Sequence, residues 1–320
     1  MHNFSDATRF IQQADRFLVL SHLHPDGDAI GSTLAMGHLL RSLGKEVVMV
    51  NESPVPQKFR FLPETREILM PQEVSEKFHH VIALDAADRE RMGTCRELFA
   101  DGVQILNIDH HATNDLYGTI NVVMPTAAAT VEILFDWIEF MQCKVDLSLA
   151  SYIYMGLLTD TGGFRYSNTT PKVLRQAARL VELGVKSHEI ADIVLETTTI
   201  GQLNLLQKAL STLQLAQDGS IAWMVLKRND IEPDQEVEGI VNYARNIEGV
   251  DVGILFREID EQTVKVSLRS RKKTDVGQLA KSFGGGGHAR AAGCTIHASL
   301  EEAQKSVLSR LQAKREFEEA

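Results

Sequence analysis

The stretch His22-Leu23-His24-Pro25-Asp26-Gly27-Asp28 decides how this chain is read. It follows the short apolar run Phe17-Leu18-Val19-Leu20, which reads, over residues 16–21, as a buried strand. It precedes residues 29–43, where Ile30, Leu34, Met36, Leu39, Leu40 and Leu43 recur at helical spacing and Gly44 stands where a helix-ending glycine belongs. The stretch is therefore a strand-to-helix turn, shaped by Pro25 and Gly27, that carries two histidines and two aspartates. Imidazole and carboxylate at that density suit hard or borderline divalent metals. The plainer reading is a polar βα loop whose Asp28 caps the following helix.

The alternation continues outward. Apolar runs at 47–50, 81–84 and 103–108 read as strands, the last two ending at Asp85 and Asp109, and helices are expected near 126–141, 147–158, 172–183 and 187–195. Short, continuously apolar strands between helices predict an α/β domain with a doubly wound parallel sheet covered on both faces. Residues 196–199 are polar and β-branched and read as a linker. Beyond them, a helix at 200–213, strands at 221–226, 252–259, 263–268 and 293–297, and helices at 237–247, 276–283 and from 299 predict a smaller, mixed α+β domain. The expected division is 1–195, then 196–214 as linker and connecting helix, then 215–320, with the active-site cleft between the two domains.

Bulk properties narrow the function. A length of 320 residues suits two ordinary domains, and 44% hydrophobic with 24% charged residues is the make-up of a soluble chain with a real core. The balance of 33 basic against 43 acidic residues, net −10, argues against coating long nucleic acid, yet leaves room for a small anion held at one basic spot. Cys95, Cys143 and Cys294 are dispersed and odd in number, which excludes a disulfide framework and a cysteine-rich zinc site and fits a reducing cytosol. The first residues show no basic and apolar signal pattern, and no apolar run approaches ~18 residues, so a cytoplasmic chain without a membrane span is expected.

In a doubly wound sheet, ligands bind at the carboxyl ends of the strands. His22, Asp26 and Asp28, then Asp85, then Asp109-His110-His111 all stand at such ends. Asp160, in Thr159-Asp160-Thr161-Gly162-Gly163, ends a helix and can close the site from another side. Any single strand-end aspartate reads equally as a helix cap. Four separate segments carrying the same chemistry do not.

Taken in order, His-x-x-x-Asp-x-Asp, a lone Asp after an apolar strand, Asp-His-His and Thr-Asp-Thr-Gly resemble the DHH phosphoesterase superfamily. Gly284-Gly285-Gly286-Gly287-His288 resembles the DHHA1 domain that accompanies it. The resemblance covers essentially the whole chain and is strongest to the bifunctional oligoribonuclease and pAp phosphatase (nanoRNase A) family. It implies two manganese ions, one held by His22, Asp26 and Asp85, the other by Asp28, Asp85, His110 and Asp160, with Asp85 bridging. It implies that Asp109 orients the histidines beside it. His111 is implied next to the substrate phosphate, donating to a phosphoryl oxygen or protonating the leaving oxygen; a supporting histidine is the other reading. His24 is not a ligand position. Two metals about 3.5–4 Å apart acidify a shared water, and mixed nitrogen and oxygen ligands favour Mn²⁺ over Mg²⁺. Residues 127–130, Ala-Ala-Ala-Thr, stand where relatives often carry serines, so close backbone packing is expected there rather than a hydroxyl role.

The glycine run is neither a P-loop nor a dinucleotide fingerprint, since no Gly-Lys-Ser/Thr follows and it succeeds a helix rather than a strand. A turn of glycines lets backbone N–H groups approach an anion, and Gly286, Gly287, His288 and Arg290 are read as substrate-binding. Lys265, Arg269, Arg271, Lys272 and Lys273 place five positive charges within nine residues, Arg269 and Arg271 on one face of a strand end. Guanidinium forks suit phosphate, and Arg269 matches a Ser-x-Arg-Ser pattern of the family; Lys272 and Lys273 read equally as a solvated turn. Arg165, close after Asp160, is a further phosphate contact. The implied activity is hydrolysis of short oligoribonucleotides to nucleoside 5′-monophosphates and of pAp to AMP and phosphate. Both break a bond between phosphorus and O3′. Short RNA and pAp are the expected partners, with no membrane, no long nucleic acid, and a homodimer among the assemblies open to it. The rival readings are a phosphodiesterase on linear or cyclic dinucleotides, a DHH-type inorganic pyrophosphatase, a single-strand DNA exonuclease, and a non-catalytic nucleotide-binding regulator.

Overall fold

The computed structural model describes residues 3–232, 237 and 239–318, with side chains described up to residue 312. The chain divides into two compact units, Met1–Thr197 and Thr198–Ala320. The first contains α1 (Phe4–Gln12), β1 (Arg16–Leu20), α2 (Gly27–Ser42), β2 (Glu46–Val50), β3 (Ile68–Leu69), β4 (Phe78–Leu84), β5 (Phe99–Asp109) and β6 (Ile120–Val123), then α3 (Thr130–Phe140), α4 (Leu147–Asp160), α5 (Pro171–Glu182) and α6 (Ser187–Ala191). Its six strands run in the order β3-β2-β1-β4-β5-β6, every neighbouring pair parallel. From β1 the chain winds outward one way and from β4 the other, so the strand order reverses between β1 and β4. That is the switch point at which open α/β sheets bind ligands.

The pleat explains the apolar runs. Phe17 and Val19 of β1 enter the core shared with the helices, while Leu18 and Leu20 enter a second core on the opposite face. Both faces are covered as expected, but unequally. The second face is closed by Met92, Cys95 and Leu98 of the 3₁₀ stretch Glu90–Leu98 rather than by regular helices. Two edge strands, β3 and β6, were not legible, being only two and four residues long and mostly half-buried.

Helix ends correct two expectations. Asp26, not Asp28, caps α2: its Oδ1 accepts from the amides of Asp28 and Ala29, both at 3.0 Å. The helix expected from about 126 begins at Thr130, because Ala127 and Ala128 turn their backbone to other partners and Ala129 is its extended N-cap. The stop at Gly44 is as read: it has φ 75°, its amide bonds to the Arg41 carbonyl, and Lys45 bonds to Leu40. The helix expected at 187–195 is α6 followed by a π-helical turn, Asp192–Glu196.

The second unit contains α7 (Ile200–Ser211), β7 (Gln214–Leu215), β8 (Ile221–Leu226), α8 (Ile240–Asn246), β9 (Val252–Asp260), β10 (Thr263–Ser270), α9 (Val276–Lys281), β11 (Gly286–His288), β12 (Ala291–Ile296) and α10 (Leu300–Glu318). The sheet order is β11-β12-β10-β9-β8-β7, with β8 and β9 parallel and the remaining pairs antiparallel. Ala222, Met224 and Leu226 pack under α7 and α8; Ile221 and Val225 pack against α9 and α10. The helix expected at 237–247 starts after Gly239, at φ 86°, and residue 238 of that expectation lies outside the described residues. Part of the glycine run is a strand, which its composition hides: Gly286–His288 form β11, at an edge of the sheet.

Candidate metal centre

β1 and β4 are neighbours, so the turn after β1 and Asp85 after β4 meet at the switch point. His22 Nε2 lies 3.4 Å from Asp85 Oδ2 and 3.9 Å from Asp26 Oδ1. From β5 comes His110, whose Nε2 is 3.5 Å from Asp85 Oδ1 and 3.3 Å from Asp160 Oδ2. His22-Asp26-Asp85 and Asp28-His110-Asp160 thus form two groups, each able to aim three ligand atoms at one ion. Both imidazoles are pre-set. His22 Nδ1 is 2.8 Å from the Leu23 carbonyl and His110 Nδ1 is 3.3 Å from that of Ala127, so each donates there and leaves Nε2 as a lone-pair donor.

Asp28 tests the fit to a cation. It is fully buried, accepts from the amides of Thr130 (2.5 Å) and Val131 (3.0 Å), and has no lysine or arginine partner among the described residues. Burial first, then the charges of Asp85 and Asp26, push its carboxyl well above the usual range despite those amides. Burial would raise Asp85 as well, but the His22 hydrogen bond and the charges on His110, His111 and His22 hold it below the usual range. Buried carboxylates that repel one another when ionised, with imidazole nitrogens beside them, fit divalent cations. Asp85 itself has φ 56°, a strained left-handed conformation for a non-glycine residue, and this concentrates at functional sites.

Asp109 is wholly buried and gathers the Asp-His-His turn. Its Oδ1 accepts from the amides of His110 (2.7 Å) and His111 (3.1 Å) and from His111 Nδ1 (2.7 Å), while Oδ2 accepts from Asn114 at 2.6 Å. Burial lowers the His111 pKa, but the bond to Asp109 and the charges of Asp85 and Asp109 win and carry it to about 9. His24 is exposed, its amide on the Ser53 hydroxyl at 3.0 Å.

Thr130 corrects the expectation that residues 127–130 have no hydroxyl role: its Oγ1 donates to Asp85 Oδ1 at 3.0 Å. The whole stretch is a hub. Its Thr130 and Val131 amides hold Asp28, the Ala127 carbonyl holds His110, and Asn168 bridges the carbonyls of Ala128 (3.2 Å) and Asp160 (3.0 Å). Glu132, 3% exposed, fastens the hub by accepting from the Ala128 amide at 2.7 Å, and Lys172 balances its charge at 2.8 Å. Hydroxyl or amide residues adjoining a small-residue loop were the available signal, and it is weak.

The expected anion-binding residues fare unevenly. Arg165 Nε bonds to the Gly162 carbonyl at 2.5 Å. In the second unit, the Gly284 and Gly285 amides close helix α9 on Lys281 (3.1 Å) and Ala280 (2.9 Å), and from Gly286 the run continues as edge strand β11, paired with β12. Gly287 has φ 133°, and Gly286, Gly287 and His288 are exposed. Arg290 bonds to the Thr274 carbonyl (3.0 Å) and steadies the preceding turn. Arg269 is on β10, but Arg271 is beyond its end, with Nη2 on the Asn246 carbonyl at 3.1 Å, so the two do not share a strand face. The amides of Lys272 and Lys273 wrap Asp251, both at 3.0 Å, as a capped turn.

A parallel sheet that gathers buried carboxylates and imidazoles at its switch point defines a metal-site hydrolase of the α/β class. Residues 16–157 match the DHH family N-terminal domain and residues 219–314 the DHHA1 domain, and the chain belongs to the DHH phosphoesterase family in its DHHA1-bearing branch. It is 37% identical over 292 residues to the bifunctional oligoribonuclease and PAP phosphatase NrnA of Thermus thermophilus, covering 91% of this chain and 87% of that one. It is 28% identical over 308 residues to the protein of the same name from Bacillus subtilis, covering 94% and 95%. The crystal structure of an exopolyphosphatase-related protein from Bacteroides fragilis superposes with a TM-score of 0.88 at 28% identity, over 97% of this chain and 95% of that one.

Proposed function

We propose that the chain hydrolyses short oligoribonucleotides to nucleoside 5′-monophosphates and pAp to AMP and phosphate, in the cytoplasm. The observation that carries this is the pair of ligand groups meeting at Asp85. The names of the relatives support the substrates. In this reading His22, Asp26 and Asp85 would hold one Mn²⁺, and Asp28, Asp85, His110 and Asp160 would hold the other. When bound, the two ions supply an acidified water and positive charge facing the phosphoryl oxygens.

The chain's residues do the rest. Asp85, at its strained strand end, turns one carboxylate oxygen toward His22 and the other toward His110, and so serves both groups. The Leu23 and Ala127 carbonyls keep His22 and His110 in the tautomer that binds. Asp109 fixes His111 through Nδ1, so the protonated ring carries its second proton on Nε2, available to the leaving O3′ or a phosphoryl oxygen. Arg269, Gly286, Gly287 and His288 recognise the nucleotide's phosphate, in a domain running from about residue 215. A homodimer is among the assemblies open to the chain.

A turnover panel with Mn²⁺ tests the reading, with pAp, RNA dimers to pentamers, pyrophosphate and cyclic di-AMP as substrates. Hydrolysis of pAp and of the short RNAs, and its loss from both in Asp85→Asn, is the expected result. Preferred turnover of pyrophosphate or cyclic di-AMP refutes the substrate assignment, and full activity of Asp85→Asn refutes the shared carboxylate.

A further inference from the structure

Arg91 lies in the segment that follows Asp85 and takes no part in the site described so far. The segment is tied into the fold by its backbone. The Arg91 amide donates to Asp88 Oδ1 at 2.9 Å, its carbonyl accepts from the Leu23 amide at 2.7 Å, and the adjoining Met92 and Cys95 are fully buried. The second of these bonds ties Arg91 directly to the turn that carries His22, Asp26 and Asp28. Its backbone is thus fastened to both strand ends that meet at the switch point.

The side chain is treated differently from its neighbours. Arg89 bonds to the Tyr117 carbonyl at 3.2 Å, and Arg96 bonds to the Gly93 carbonyl at 3.0 Å and pairs with Glu90 at 3.8 Å. The Arg91 guanidinium makes no ion pair and no hydrogen bond among the described residues, although five aspartates gather at the adjoining site. It is exposed, on a residue whose carbonyl is held by the turn that carries His22, Asp26 and Asp28. An unpaired guanidinium on a fixed backbone, at the rim of a site for cations, is built for an anion that those cations also attract. Its planar fork matches two oxygens of a phosphoryl group.

We propose that Arg91 binds a non-bridging oxygen of the phosphoryl group attacked at the metal centre. This rests on the phosphoester hydrolysis proposed above, but not on which ester is cut. A receptor for the attacked phosphoryl group is blind to the nucleoside, so its loss falls equally on every substrate.

The test uses the full chain with Arg91→Ala and Arg91→Lys, loaded with Mn²⁺. kcat/KM is measured on pAp, an RNA dinucleotide and a dye phosphodiester, while calorimetry gives Mn²⁺ affinity and stoichiometry and the affinity for inorganic phosphate. Arg91→Ala is expected to lower kcat/KM on all three by roughly 10- to 100-fold, with a similar loss of phosphate affinity and unchanged Mn²⁺ binding. Arg91→Lys recovers only part, because an ammonium lacks the fork. Kinetics within about twofold of the parent, unchanged phosphate affinity, a loss confined to pAp, or a fall in Mn²⁺ stoichiometry would each overturn the assignment. If the parent cuts the dye but neither pAp nor RNA, the substrate reading fails while the Arg91 comparison still stands on the dye and on phosphate.

Discussion

Thr130→Val is the sharpest probe of the metal centre. Thr130 is fully buried, and its hydroxyl donates to Asp85 Oδ1 at 3.0 Å, while its amide separately holds Asp28. Valine keeps the β-branched shape and the amide, so the change removes one donor from one carboxylate and nothing from Asp28. A hydrogen bond to a charged group contributes about 1.5–3 kcal/mol. That is a factor of roughly 10 to 150 in an equilibrium constant, in line with the roughly 10- to 100-fold cost of losing an outer partner of a metal ligand. Titration of the metal-free protein with Mn²⁺ should show a loss of that size, with pAp turnover at limiting metal falling alongside it. Thr130→Ser restores the donor and should recover most of the affinity. Mn²⁺ affinity of the valine variant within about threefold of the parent, or a serine variant as weak as the valine one, would refute the claim that this hydroxyl orients Asp85.

Other perturbations read other parts of the same construction. Glu132→Ala orphans the Ala128 amide and strips Lys172 of one partner; the expected outcome is weaker binding of the second Mn²⁺, seen as a drop in stoichiometry, with Glu132→Gln retaining more because it keeps the acceptor. A Cβ at Gly156 would stand 2.6 Å from Val131 and 3.0 Å from Asp28 Oδ1, so Gly156→Ala should cost about 1–3 kcal/mol in urea unfolding and weaken Mn²⁺ binding together. In the metal-free protein His111 titrates near 9, above its ordinary 6.5, so its contribution to stability is complete below pH 6.5 and is lost as pH rises through 9. Melting temperatures across that window should fall, and His111→Asn should flatten the part of the fall that this group causes; an unchanged slope would mean that His111 is not held protonated by Asp109.

Much of the site was legible because its chemistry is written in residue types that strands rarely carry. His22, Asp26, Asp28, Asp85, His110 and Asp160 all come together around Asp85, as four strand- or helix-end segments of the same chemistry predict. The supporting residues were not legible. Thr130, Glu132 and Asn168 are ordinary residues whose roles come from backbone groups that only the folded chain brings near. The basic cluster shows the opposite error. Five charges close in sequence suggested one phosphate surface, yet Arg271 and the amides of Lys272 and Lys273 are engaged with Asn246 and Asp251, because a turn has its own hydrogen bonds to satisfy.

By itself, then, the sequence determined the two-part α/β and α+β architecture, the family, and the residues that the fold gathers into the candidate metal centre, since apolar period and motif order are local properties of the chain. Only the tertiary structure decided that β1 lies against β4, with β2 and β3 to one side and β5 and β6 to the other. Strand adjacency is set by how helices cover the sheet, and no local pattern encodes it. That adjacency turns a polar βα turn into one side of a cluster able to hold metal. It also assigns Asp26 two tasks, as the cap of α2 and as a member of the His22 group, while Asp28, the residue the turn alone suggested as the cap, is left wholly buried beneath the first turn of α3.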